Sequence, residues 1–82
     1  MNKSAIDIDK IFKCYYRPLC LYALHYVHNT DISEDIVQDS FFSLWERINS
    51  VEIENVKAYL YKTVRNRSLD YLKENSIYET NL

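Results

Sequence analysis

The chain has 82 residues, enough for one small domain that buries a modest core and leaves little room for an enclosed active site. It contains no glycine and one proline, which argues against tight hairpin turns and phosphate-cradling loops and favours an all-α fold. The formal net charge of −2 conceals an uneven distribution, because acidic and basic residues concentrate in different segments. These properties favour a binding module over an enzyme.

Several functional classes lack support in the sequence. No apolar run approaches the ~20 residues of a membrane span and the N-terminus has no signal-peptide core, so a cytoplasmic protein is expected. Cys14 and Cys20 fall on different helix faces and are expected to be reduced packing residues. His25 and His28 have no third ligand at suitable spacing, which argues against a metal site. No nucleophile–base arrangement or cofactor motif is present.

The first predicted helix spans residues 7–28. Proline lacks the N–H that would bond the carbonyl of Cys14, so this helix is expected to be kinked or split at Pro18. Its apolar residues recur at helical spacing and predict a core-facing stripe. The stripe consists of Ile8, Phe12, Tyr15, Leu19, Ala23 and Tyr26.

The second predicted helix spans residues 31–48 and carries five acids against the single base Arg47. The acids are Asp31, Glu34, Asp35, Asp39 and Glu46. Asp31 and Glu34 are spaced as a capping box that would begin this helix. The predicted buried stripe consists of Val37, Phe41, Leu44 and Ile48, with Ile36 and Trp45 at its edges.

Phe42 falls outside that stripe. At 100° per residue it lies on the opposite side of the helix, among acidic and amide side chains, and is expected to be exposed. An exposed aromatic side chain is often of no consequence. The alternative is an anchor in a protein interface, because hot spots often consist of an aromatic side chain within a polar rim.

A short polar linker, 49–55, precedes the third predicted helix, which spans residues 55–74 with Asn55 as its cap. The tail, 75–82, loses periodicity and is expected to fray. The core stripe is Val56, Leu60, Val64 and Tyr71. Arg67 lies within this stripe and is expected either to extend its charged end into water or to form an ion pair, for which Asp70 is the candidate partner.

Another side of the third helix combines bases, an amide and an aromatic ring, and the segment 55–73 carries five bases against the single acid Asp70. This side consists of Tyr59, Lys62, Asn66 and Lys73, with Asp70 beside them. Cations neutralise phosphates, tyrosine stacks on unpaired bases and asparagine pairs with adenine, so the face suits nucleic acid. The alternative is an ordinary solvated helix face.

The segments DIVQDSFFSLWER and VKAYLYKTVRNRSLDYLKE closely resemble region 2 of the extracytoplasmic-function sigma factors of bacterial RNA polymerase, in the sigma-70 family. The segment FKCYYRPLCLYALHYV resembles the opening helix of that region. The resemblance covers about three quarters of the chain. It implies that residues 1–82 form one region 2 domain without the C-terminal region 4, as in an excised domain or a truncated member.

The resemblance also implies two binding surfaces. The acidic helix would bind the clamp helices of the polymerase β′ subunit. The residues implied in this contact are Asp35, Gln38, Asp39, Phe42 and Trp45. The linker 49–55 and the basic helix would melt promoter DNA and hold the non-template strand of the minus-ten element. Tyr59, Lys62, Asn66 and Asp70 match the DNA-facing positions, and Lys57, Tyr61, Arg65 and Lys73 are nearby candidates.

An anti-sigma factor is a further partner that the resemblance implies. The alternative hypothesis from a different class is a helical protein-interaction module with no role in nucleic acid binding, which would use Phe42 and its acidic surroundings to bind a basic partner helix.

Overall fold

A computed structural model describes residues 7–49 and 55–80 and contains three helices: α1 (Ile8–Val27), α2 (Thr30–Arg47) and α3 (Val56–Thr80). Each helix packs against the other two. The described residues contain no strand. The prediction of an all-α three-helix bundle is therefore confirmed.

The core lies along the centre of the bundle, where all three helices meet. Its buried apolar residues are Leu19, Ala23, Val27, Ile36, Val37, Phe41, Leu44, Leu60 and Val64. The middle of each predicted stripe is buried, as the helical periodicity indicated. Phe12 and Trp45 are exposed instead, with 38% and 57% of their surfaces open to solvent. Cys14 is also exposed, so its prediction as a packing residue is wrong.

Helix α1 runs without interruption through Pro18, so the predicted split does not occur. Pro18 and Cys14 are both exposed and lie one turn apart on the same side of α1. The Cys14 carbonyl that loses its helical donor therefore faces water, which can supply the missing hydrogen bond.

The turn between α1 and α2 is built from His28 and Asn29. His28 adopts a left-handed conformation with φ of 52°, and its N–H donates to the carbonyl of Leu24 at 2.8 Å. The Asn29 side chain accepts a hydrogen bond from the backbone N–H of Ile32 at 3.0 Å. Asn29 is therefore the N-cap of α2, and the predicted capping box with Asp31 as the cap is wrong. Asn and Asp are equally good caps, so the sequence contained two competing start sites.

Helix α3 begins as predicted, because the Asn55 side chain accepts a hydrogen bond from the N–H of Ala58 at 3.0 Å. It continues to Thr80, so the predicted end at residue 74, with a frayed tail at 75–82, is too early for the described part of the tail. No glycine or proline interrupts this segment. The Asn75 side chain donates a hydrogen bond to the carbonyl of Tyr71, one turn earlier in α3, at 2.9 Å. This bond is compatible with continuation of the helix beyond residue 74.

Within the described residues, no helix combines the length and the apolar character needed to span a lipid bilayer.

Candidate functional site

The outer face of α2 carries two large exposed aromatic side chains. Phe42 is 67% exposed and Trp45 is 57% exposed. Asp35, Gln38 and Asp39 are exposed as well. The expectation that Phe42 lies outside the core is confirmed. Two neighbouring exposed rings form an apolar patch, and such patches on soluble proteins commonly mark binding surfaces.

A groove of about 420 Å³ separates this face from the start of α1. It is lined by Ile8, Phe12, Gln38, Phe41, Phe42 and Trp45, and we call it the aromatic groove. The Phe12 ring stacks on Tyr16 with ring centroids 4.7 Å apart and meets Phe41 edge-on at 4.9 Å. These two ring contacts hold Phe12 in place in the groove. The apolar periodicity of α1 assigned Ile8 and Phe12 to the core, and only the position of α2 makes them walls of an open groove.

On the other side of Phe42, α2 presents an acidic strip that consists of Asp35, Asp39 and Glu46, all exposed. Helical geometry places these three residues 20° to 60° to one side of Phe42, whereas Gln38 and Trp45 lie 40° to 60° to the other side (about 100° per residue). Phe42 is therefore a ridge between the aromatic groove and the acidic strip.

Arg67 connects α3 to the acidic strip. Its Nη2 donates to Ser43 Oγ at 3.1 Å, and its Nη1 lies 3.9 Å from Asp39 Oδ2. The prediction that Arg67 pairs with Asp70 is therefore wrong. Its guanidinium contacts α2 instead, because α2 packs within its reach. The side chains of Arg67 and Asp39 are 42% and 53% exposed, and an ion pair this long and this open is worth less than ~1 kcal/mol.

The candidate DNA-binding residues of α3 do not all share one face. Lys57, Lys62, Arg65, Asn66, Asp70 and Lys73 are exposed. Lys62, Asn66 and Lys73 lie opposite the buried Val64, on the side of α3 that faces away from the bundle. Tyr59 is half-buried and packs against the core, so only part of its ring is available to a ligand.

Tyr61 and Arg65 lie on the flank of α3 that faces α1. The Tyr61 ring meets Tyr22 edge-on with centroids 5.0 Å apart, and Tyr22 meets Tyr26 at 5.5 Å. The Tyr26 side chain and burial raise the pKa of Tyr22, whereas the nearby charge of Arg65 acts in the opposite direction. Contacts with α1 thus hold Tyr61 in place, which the sequence of α3 alone did not indicate.

The linker 49–55, predicted to capture a base, lies outside the described residues except for its ends Asn49 and Asn55. In the part of the chain that the structure describes, no group of three or more His, Cys, Asp or Glu side chains is placed to hold a metal ion.

The described residues thus form a small all-α domain, with an aromatic and acidic surface on one helix and basic side chains on another. The family model for Sigma-70 region 2 matches residues 11–77, and the chain belongs to this family. It is similar to the ECF RNA polymerase sigma factor SigM of Bacillus subtilis (strain 168), with 26% identity over 69 residues. The aligned part covers 84% of this chain and 42% of the length of that relative. No solved structure matches the chain significantly.

Proposed function

We propose that this domain acts in transcription initiation by binding RNA polymerase core through α2 and the minus-ten promoter element through the linker 49–55 and α3. Membership of the Sigma-70 region 2 family supports the general role. The observation that carries the polymerase contact is the exposed Phe42 beside the acidic strip. The proposed role is binding, and the partner polymerase performs the chemistry.

The polymerase contact is assigned to Asp35, Gln38, Asp39, Phe42 and Trp45. A buried aromatic anchor within a polar rim supplies most of the free energy of many protein interfaces. The acidic strip supplies complementarity to a basic surface, which mainly favours a fast and specific encounter. As the resemblance to sigma region 2 implies, the proposed partner surface is the β′ clamp helices, and an anti-sigma factor is a further proposed partner.

The DNA contact is assigned to the linker and to α3. The exposed cations suit phosphates of a single strand: Lys57, Lys62, Arg65 and Lys73. Asn66 and the exposed parts of the Tyr59 and Tyr61 rings suit unpaired bases, and Asp70 lies beside them. Taking a base out of its stack costs a few kcal/mol, which these stacking and phosphate contacts would offset.

Calorimetric titration of the full chain with an isolated β′ clamp-helix fragment tests the polymerase contact. We expect saturable binding that Phe42→Ala weakens by about 1–2 kcal/mol, because an interface anchor loses its contact area. Asp35→Lys should weaken binding through repulsion of a basic partner. Cys14→Ser, at an exposed position on α1 outside both surfaces, serves as the control and should bind like the unmodified chain.

Failure of a folded chain to bind the fragment would contradict the proposal. It would favour the protein-interaction module instead, in which the same face of α2 binds a different basic helix.

A further inference from the structure

The aromatic groove is large enough and apolar enough to admit a large apolar side chain. Its volume of about 420 Å³ lies between two helices, and five of its six lining side chains are aromatic or aliphatic. Gln38 supplies the only amide in the lining. A small polar ligand would find few partners to orient it here, because specific small-molecule sites usually present several convergent polar groups.

The charges beside the groove favour a basic partner. The acidic strip runs from Asp35 to Glu46, which is about 16 Å along the axis at 1.5 Å per residue. That length corresponds to roughly three turns of a partner helix. The Phe42 ridge separates the strip from the groove, so one partner helix lying along the ridge can reach both.

We propose that the aromatic groove receives a large apolar side chain from a partner helix whose Lys or Arg residues lie against the acidic strip. This inference rests on the proposed polymerase contact and extends it to α1, because Ile8 and Phe12 become part of the partner surface. Ile8 precedes the residues 11–77 that the family model matches, whereas Phe12 lies within them.

Trp45 offers a direct measurement, because it lines the groove and is the only tryptophan of the chain. Saturation with a tryptophan-free β′ clamp-helix fragment should shift its emission to shorter wavelength as the indole leaves water. Alanine replacement of the fragment's large apolar residues, one at a time, should identify one residue whose loss abolishes the shift and weakens binding at least fivefold.

Two variants of the chain test the groove from its own side. Ile8→Phe adds bulk to the groove wall and should weaken binding at least fivefold. Cys14→Phe places the same side chain at an exposed position on the other side of α1 and should leave the affinity unchanged. Ile8→Ala, which only removes atoms, should weaken binding in the same direction, and it provides the measurement if Ile8→Phe does not fold.

The outcomes separate this inference from the proposed function. One outcome is that Asp35→Lys weakens binding while Trp45 emission does not change and Ile8→Phe has no effect. This result would overturn the role of the groove and leave the proposed polymerase contact in place. No binding by a folded chain would overturn both. A third outcome is that Trp45 of the free chain already emits at short wavelength and that removal of residues 1–6 moves its emission to longer wavelength. This result would show that the chain itself fills the groove, and it would also overturn the inference.

Discussion

Phe41 and Phe42 are adjacent in sequence and have opposite environments, with 7% and 67% of their surfaces exposed. Phe41→Ala should lower the free energy of unfolding by about 3–5 kcal/mol, because it leaves a cavity in the core. Phe42→Ala should change it by less than about 0.5 kcal/mol, since its ring is largely in water. Urea denaturation at equilibrium measures both. Equal losses would mean that Phe42 has a structural role and would weaken its assignment as an interface anchor.

Three serines are buried among the residues that the structure describes, and two of them have partners for their hydroxyl groups. Ser40 Oγ donates to the Ile36 carbonyl at 2.8 Å, and Ser33 Oγ donates to the Thr30 carbonyl at 2.9 Å. Ser68 is fully buried, and its hydroxyl makes no hydrogen bond within the described residues. A buried hydroxyl without a partner destabilises the folded state, because its hydration is lost without replacement.

Ser68→Ala should therefore raise the free energy of unfolding by about 1 kcal/mol. Ser40→Ala is the matched control and should lower it by about 1 kcal/mol, because it removes a satisfied hydrogen bond. Thermal and urea denaturation of both variants measure the difference. A loss of stability for Ser68→Ala would indicate that a water molecule satisfies the hydroxyl.

At the scale of the helices, the start of α2 depends on Asn29. Asn29→Ala should lower the free energy of unfolding by about 0.5–2 kcal/mol, because it removes the acceptor for the Ile32 N–H. Asp31→Ala should cost about 0.5 kcal/mol or less, since Asp31 acts only through its charge in the first turn. Urea denaturation of the two variants at low ionic strength makes the comparison, and the reverse order of effects would restore Asp31 as the cap.

The existence of each helix could be predicted because glycine is absent and apolar residues recur at helical spacing. The helix ends were harder to predict. Asn29 and Asp31 are both good caps, and the choice between them depends on how His28 turns the chain with its positive φ. The continuity of α1 depended on the exposure of Pro18, which is a property of the packed bundle and not of the local sequence.

At the scale of the whole molecule, the exposed cations of α3 should bind single-stranded DNA in a salt-dependent manner. Lys62→Gln and Arg65→Gln should each weaken binding and lower the slope of log affinity against log salt by about 0.7, because each removes one phosphate contact with a single strand. Fluorescence anisotropy with a labelled minus-ten oligonucleotide over a salt series measures the slope.

Lys13→Gln is the matched control for these variants. Lys13 lies on α1 and pairs with Asp9 at 3.4 Å, so the variant removes one positive charge at another place on the molecule. An equal loss of slope in all three variants would indicate a dependence on net charge alone, without a contact specific to α3.

The candidate surfaces could be predicted only in part. The exposure of Phe42 follows from its angle on α2, since the angle depends on one helix. The aromatic groove, the pair between Arg67 and Asp39, and the contact of Tyr61 with Tyr22 each require two helices at a known separation. No periodicity within a single segment contains that information.

The Asp39 carboxylate pairs with Arg67 and is also assigned to the contact with polymerase, so two interactions compete for it. Asp39 belongs to the face assigned to polymerase, yet in the free domain its carboxylate is already shared with a cation from α3. A salt link this open can be exchanged at little cost. Any arriving lysine or arginine that takes over Asp39 would release Arg67, and a cation without its counter-ion would then be available on the helix assigned to DNA. Occupancy of the α2 surface would thereby change the ionic surroundings of a cation on α3.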